Sequence, residues 1–494
     1  MNNKYAIFIL SAFLLSTCSF FIFKLTTYFY VDSGYVGILA NQQNYILIKD
    51  KLGDNKKEEA INYINLLIDA NDKILEAALD EDNLSDSSRE RVSIYLKMKK
   101  NQFKSLKQDI KSFLKKDIYG LEKKVLKNGW NASLNDLEKK REKVKSLGYW
   151  IPQIPKKYGG MGLNLIEFGQ LSAILGASPI GLYLFNCQAP DAGNMEVLIK
   201  FGTPYQKDKF LKPLLSGEIR SCFSMTEPTF AGSNPVYMGT TAVKKDNSYI
   251  LNGNKWFTSS AEGASFAIVM AITNPDVENK YLRASQIIVP CDSEGFQLVR
   301  KIPVMGDKGE GYFSHSEIKY NNVKVSKKNL LGEEGSGFRI AQSRLGHGRI
   351  HHCMRWMGIC ERSFNMMCER AAKRELTPGK FLGEKQLIQK MIAERRAEIN
   401  AAKLMVLDTA NKIDKFGSKD SKIEISIIKF YCANVLKRVV DDAVQIHGGL
   451  GMSDDIILSH FYRHERAARI YDGADEVHIS SVAKGILSNY GLKI

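Results

Sequence analysis

Three carboxylates crowd one glycine in RIYDGADEVH (469–478): Asp472, Asp475 and Glu476. Side chains of this type can act as a general base, or simply solvate a loop. A second segment, CFSMTEPTFAGSN (222–234), is rich in small and hydroxyl residues. Backbone N–H groups of such a loop can meet a flavin's pyrimidine edge, and Ser233 a ligand oxygen. KWFTSS (255–260) offers the Trp256 face to a planar ring and the Thr258 hydroxyl for a hydrogen bond. In AVQIHGGLGMS (443–453) a helix ends in glycines that admit close backbone approach to an adenosine or a pyrophosphate. HGRIHH (347–352) places His347, His351 and His352 within two helical turns. No H-E-x-x-H or nearby carboxylate completes a ligand set there, so packing and substrate contacts are expected and no metal site is assigned. Read singly, each segment has a plain structural alternative. TEP is a turn, Trp256 is core, GGLG is a helix C-cap and DGADE is a solvated loop. The chain carries no G-x-G-x-x-G, Walker or G-x-S-x-G pattern, so Rossmann, P-loop and serine-hydrolase readings lose their fingerprints.

Three stretches of different character must position these groups. From about 104 to 222 the apolar spacing is helical, interrupted by the Gly-rich KKYGGMGLNL (156–165). Over 223–335 the runs turn short and strand-like, as in FAIVMAIT (266–273) and SQIIVP (285–290). Asn252-Gly253, lying between YIL and KWF, predicts a hairpin turn. After GEEGSGF (332–338) long helices return: Met357, Cys360, Phe364, Met367 and Ala371 recur at steps of three and four. A second strongly apolar helix spans Ile425 to Val444, closed by Gly448, Gly449 and Gly451. Helices, strands and helices in runs place the chain in the α+β class and argue against a doubly wound parallel sheet.

The 494 residues are 44% hydrophobic and 25% charged, ordinary for two to four globular domains. Seventy Lys plus Arg against 54 Asp plus Glu give +16, but no nucleic-acid motif accompanies the spread-out lysines. No nucleic-acid partner is expected, and the basic surface suits an anionic cofactor or substrate. Eight cysteines without a C-x-x-C are the usage of a reduced compartment, and all eight are expected as free thiols. The uncharged stretch from Tyr5 to Phe23, between Lys4 and Lys24, is long enough at about 1.5 Å per residue to span a bilayer. Residues 1–33 are therefore expected to be a membrane anchor, with the remainder on the cytoplasmic side. Residues 54–90 hold eleven acidic and four basic side chains, and 91–127 three and twelve. With NLSDSS (83–88) as a turn and N-cap, 34–103 reads as a polar helical hairpin.

Taken in order, FNCQAPDAGNMEVL (185–198), CFSMTEP (222–228), RLGHGRIHHCMR (344–355) and YDGADEVH (471–478) resemble the acyl-CoA dehydrogenase family, over about residues 104–494. The details are similar to the branch often associated with an aminoglycoside-phosphotransferase-like kinase, although no kinase domain is present here. The resemblance implies a helical N-terminal domain (104–222), a middle β-barrel or sandwich domain (223–335) and a C-terminal four-helix bundle (336–494). It implies FAD as cofactor, an acyl-CoA substrate, an electron-transferring flavoprotein as electron acceptor, and a homodimer or homotetramer. By position, Phe223, Met225, Thr226, Gly232, Trp256 and Thr258 would line the flavin. Arg374 and Gln386 would reach the FAD of a neighbouring subunit, and Gln445, Gly448 and Gly449 its adenine half. Ser233, Arg349 and Gly473 would contact acyl-CoA. Asp472 stands where many members have a catalytic Glu, and its pKa is expected to rise in a dry pocket. Ala474 replaces a flavin-contacting hydroxyl residue, and Glu476, also assigned to the cofactor, replaces a Gln. Three functions follow: dehydrogenation to a trans-2-enoyl-CoA, phosphate elimination from a 4-phosphoacyl-CoA, or an inactive membrane-tethered interaction protein.

Overall fold

The computed structural model describes residues 86–492, so the expected anchor (1–33) and most of the expected hairpin (34–103) lie outside the described residues. Among those described, no helix is long and apolar enough to cross a membrane. Helix α1 (Asp86–Phe113) begins inside the NLSDSS segment and runs unbroken through position 103. Of the described residues, 86–109 with Lys156–Tyr158 group apart from the main body.

In the body, α2 (Tyr119–Asn128), α3 (Trp130–Ser146), α4 (Leu165–Leu175) and α5 (Asp191–Phe201) form the first helical layer. The Gly-rich interruption ends where Asn164 caps α4, its side chain accepting from the Glu167 N–H while Glu167 reaches back to the Asn164 N–H. Glu122 of α2 is fully buried, and both its oxygens accept from Arg362 at 2.8 Å. That bidentate pair ties the first layer to the last.

Strands β1 (Ser221–Ser224), β2 (Thr241–Lys245), β3 (Ser248–Ser259), β4 (Phe266–Ile272), β5 (Ala284–Pro290), β6 (Phe296–Lys301), β7 (His315–Ser326) and β8 (Leu330–Leu331) make one sheet. Its order is β6-β7-β3-β2-β4-β5-β8, with β1 added parallel to β4. The strands are joined into one hydrogen-bonded path, with β2 and β4 linked at the single pair Thr241–Ile272, and the buried faces of β2, β3 and β7 share one core with those of β4 and β5. Asn252-Gly253 is no turn: β3 runs through it, and the hairpin with β2 closes at Asp246-Asn247. Glycine is required at 253 because an added Cβ would stand 2.3 Å from the Thr240 hydroxyl, so close approach, not chain reversal, selects it.

Helices α6 (Gly337–Lys373), α7 (Gln386–Phe416), α8 (Lys422–His447) and α10 (Asp475–Ser488), with α9 (Leu458–Glu465) beside them, form the last layer. Met357, Cys360, Phe364 and Met367 enter its core with Ile399, Val406, Ile428 and Val439, and Ala371 is buried at the end of the same face. Burying such side chains stabilises the bundle by about 1.5–3 kcal/mol each. The seven described cysteines are free thiols, buried or half-buried.

Candidate active site

The turn carrying Asp472 is held from several sides. Lys429, buried in the apolar face of α8, donates from Nζ to the carbonyls of Ala468 and Gly473, both at 2.8 Å. Arg349 Nε donates to the Asp472 carbonyl at 3.2 Å, and His478 Nε2 lies 3.1 Å from the same oxygen. These bonds enforce φ of +54° at Asp472 and +100° at Gly473. A Cβ at 473 would come within 2.5 Å of His478 Nε2, so only glycine fits. Just upstream, the Tyr471 hydroxyl accepts from Arg355 and Trp356, both at 2.9 Å, and Arg355 is clamped to Glu465. A left-handed non-glycine residue fixed by this many bonds is a recognisable signature of a functional position.

The Asp472 carboxylate lies 3.2 Å from His352 Nε2, with both side chains about one-fifth exposed. Burial pushes its carboxyl up, but the hydrogen bond and charge of His352, and the charges of Arg344 and Arg349, outweigh burial and hold it well below the ordinary carboxylate range. The expected upward shift is therefore reversed, because His352 and two arginines surround the acid. Asp475 is buried and engaged, its Oδ2 accepting from Asn434 at 2.8 Å and Arg469 at 2.6 Å. Glu476 is exposed on the first turn of α10. Of the three carboxylates, Asp472 alone joins the basic cluster. The histidines of HGRIHH part company: His352 turns to Asp472 while His351 packs edge-on against Phe168 at 4.5 Å.

The second constellation lies where β1 ends against β3. Thr226 Oγ1 donates to the Trp256 carbonyl at 2.9 Å, and the Trp256 N–H to the Thr226 carbonyl at 3.0 Å. A register shift between Lys255 and Thr258, with φ of +47° at Phe257, turns the strand at this point. Phe223, Met225, Thr226 and Trp256 are half-buried around this point and make an apolar wall, with the Thr226 hydroxyl engaged by the Trp256 carbonyl. Such a wall fits a planar heteroaromatic ring. Thr258 is fully buried and its hydroxyl is 3.0 Å from Ser224, so any cofactor contact there falls to its main chain. Gly232 and Ser233 sit exposed on the following loop. Lys255 and Glu227 anchor that loop from beneath. Lys255 Nζ donates to Glu227 and to the Met225 carbonyl, each at 2.8 Å, and Glu227 accepts from the N–H groups of Gly239 and Thr240. Burial pushes the Lys255 ammonium down to about 8 against the pull of Glu227.

The two constellations meet through Arg344. Its guanidinium lies 4.3 Å from the Phe223 ring and donates to Asn194 and the Pro190 carbonyl, both at 3.3 Å. Asn194 and Asp191 in turn bind Ser221 at the start of β1. The FNCQAPDAGN segment is thus a brace between β1 and α6. Arg374, Gln386, Gln445, Gly448 and Gly449 all lie exposed in the bundle, at the C-terminal ends of α6 and α8 and the start of α7. They form no part of the Thr226–Trp256 wall. Arg344, Lys429, His478 and the Lys255–Glu227 pair complete the site without having been singled out for it in the sequence, whereas His352 was expected to make packing or substrate contacts. A lone lysine inside the apolar run of α8 was the readable signal for Lys429.

The matches to known families coincide with these parts. Residues 101–218, 222–323 and 335–487 match the N-terminal, middle and C-terminal domains of acyl-CoA dehydrogenases. FadE2 of Mycobacterium tuberculosis, assigned as an acyl-CoA dehydrogenase, is 42% identical over 71% of this chain and 86% of its own length. The chain belongs to the acyl-CoA dehydrogenase family. That family comprises flavin-dependent oxidoreductases acting on CH–CH groups. Acyl-CoA dehydrogenase family member 11 of Gallus gallus is 38% identical over 78% of this chain, but the match spans only half of that longer relative. A Mycobacterium abscessus structure assigned to the same family superposes with a TM-score of 0.75 at 34% identity, covering 79% of this chain and 98% of the other.

Proposed function

We propose that this chain is an FAD-dependent acyl-CoA dehydrogenase that converts an acyl-CoA to a trans-2-enoyl-CoA. The observation that carries the reading is Asp472, an ionised carboxylate fixed on a left-handed turn beside Arg349 and His352. The residues present fit FAD. Phe223, Met225 and Trp256 supply the apolar wall and Thr226 the adjoining hydroxyl, while Arg374, Gln386, Gln445, Gly448, Gly449 and Glu476 are exposed, as contacts to a cofactor shared between subunits must be. When bound, FAD supplies the hydride acceptor for Cβ. The chain's own part is to hold the thioester and to accept the α-proton on Asp472, with Gly473 and Ser233 as further acyl-CoA contacts. Asp is one methylene shorter than Glu, and the left-handed turn supported by Lys429 and His478 advances it.

A second reading is favoured by one specific feature. Arg344, Arg349 and His352 around Asp472 suit a substrate with its own anion, as phosphate elimination from a 4-phosphoacyl-CoA would require. Anaerobic titration of the purified protein with acyl-CoAs decides between these readings. Flavin bleaching supports dehydrogenation, whereas phosphate release from a 4-phosphoacyl-CoA supports elimination. A protein without flavin absorbance would instead support an inactive tethered scaffold. The reading also includes the domain divisions at 222/223 and 335/336, a homodimer or homotetramer, and an electron-transferring flavoprotein as acceptor. It further includes anchorage by the uncharged stretch Tyr5–Phe23 with the enzyme on the cytoplasmic side. Removing residues 1–33 is expected to release the protein from membranes with its flavin intact, and continued membrane association would refute the anchor.

A further inference from the structure

Away from the flavin wall, a loop of the middle domain meets α9 through three side chains with metal-ligand chemistry. His460 and His464 stand one helical turn apart, with ring centroids 4.2 Å from each other. Asp307 Oδ2 lies 3.0 Å from His464 Nε2. One ligand atom from each of Asp307, His460 and His464 falls within 4.8 Å of the others. In a tetrahedral zinc site, donors about 2.0–2.2 Å from the metal stand somewhat over 3 Å apart, so a small rotation of the side chains closes the set.

Three observations make this more than an ordinary His–Asp pair. First, the carboxylate is pre-set: Asp307 Oδ1 accepts from the Gly309 N–H at 2.9 Å, and paired backbone bonds between Val304 and Asp307 fix the loop. Carboxylate ligands supported in this way hold their orientation before an ion arrives. Second, His460 is only 8% exposed and makes no hydrogen bond among the described residues. A mostly buried imidazole held by no side-chain hydrogen bond is free to turn towards a cation. Third, Phe313 packs against both rings, at 5.8 and 6.5 Å, and gives the site an apolar wall, while the side chain of Asp307 remains 35% exposed and leaves a way in.

We propose that Asp307, His460 and His464 form a three-ligand site for a zinc-class divalent cation, which clamps the 302–311 loop to α9. Two imidazoles and one carboxylate select a borderline metal over calcium or magnesium, and a water fills the fourth position. The clamp lies next to Glu465, which holds Arg355 and through it Tyr471, the neighbour of Asp472. Its role is structural, bracing the turn that carries the base.

The test uses the purified, flavin-loaded protein after chelation, titrated with Zn2+ and separately with Co2+. One equivalent is expected to bind, with Co2+ giving d–d absorption to the red of the flavin bands. His460→Phe is expected to weaken binding on the order of a hundredfold or more, beyond the loss typical of a supporting residue. Should that variant fold poorly, Asp307→Asn alters only a part-exposed carboxylate and is expected to remove the cobalt bands with the flavin spectrum intact. Absence of stoichiometric uptake by the unsubstituted protein would overturn the proposal, as would equal uptake by both variants.

Discussion

Replacing His352 with Ala should move the acid limb of the reaction upward in pH. The imidazole Nε2 sits 3.2 Å from Asp472 Oδ2, and this contact heads the forces that lower the carboxyl against its burial. A hydrogen bond to a charged group is worth about 1.5–3 kcal/mol. At about 1.4 kcal/mol per pH unit, its loss should raise the Asp472 pKa by about one to two units. The charges of Arg344 and Arg349 remain, so the shift is partial. The base must be ionised to take the α-proton, and activity therefore falls as pH drops through its pKa. In the parent protein that fall lies below the usual carboxylate range; in His352→Ala it should begin one to two units higher, by the same conversion. The stability linkage has a matching sign. A depressed carboxylate stabilises the fold fully above its unfolded value of about 3.9 and less as pH falls through the folded value, and the variant forfeits part of that contribution. Anaerobic stopped-flow bleaching by saturating acyl-CoA, followed by pH jumps from neutral to below the ordinary carboxylate range of about 3.9, reads the limb. His352→Gln, which keeps an N–H donor, should restore part of the shift. An unmoved limb in His352→Ala, with FAD retained, would refute the placement of His352 as the group that tunes this base.

Asp472→Asn should retain FAD and acyl-CoA binding yet slow bleaching by on the order of a thousandfold, the range for a lost general base; near-normal bleaching would move the base elsewhere. Lys255→Met leaves Glu227 buried without its cation, which costs about 3–5 kcal/mol. A lower melting temperature and loosened FAD are expected, read by thermal unfolding followed through flavin release. Arg374→Ala should weaken FAD retention about tenfold to a hundredfold if it reaches a neighbour's pyrophosphate; equilibrium dialysis with unchanged affinity would count against that role.

The layer order and much of the core were legible because they rest on periodicity. The steps Met357, Cys360, Phe364 and Met367 are those that reach the bundle core, and Ala371 is buried beyond them. Asn252-Gly253 misled because local turn propensity and tertiary close approach select the same residue, and only the position of Thr240 tells them apart. The direction of the Asp472 shift was illegible for a related reason. Burial raises a carboxyl, and the sequence shows burial through its apolar neighbours. The opposing charges come from His352, Arg344 and Arg349, more than a hundred residues away along the chain. Asp307 and His464, separated by 157 positions, were invisible on the same ground. Neither residue belongs to a short motif.

The chemistry of the Asp472 site turns on one tension. An acid held below its ordinary range is ionised throughout the neutral range and always ready to accept a proton, but it is a weaker base than a carboxylate poised near the working pH. The α-proton of an acyl thioester is only feebly acidic, so the barrier must fall on the other side of the transfer, where charge develops on the substrate. Arg349 and Arg344 are part of the cluster that depresses Asp472, and their positive charge lies beside it, next to the His352 ring. The groups that weaken the base are thus placed to favour a developing enolate or a substrate-borne anion. A glutamate would reach further but would gain nothing from the turn that Lys429 and His478 maintain. Aspartate on a left-handed turn, within a basic cluster, is a different solution from a long acid raised by burial, and it predicts a site whose rate depends more on its cations than on the pKa of its base.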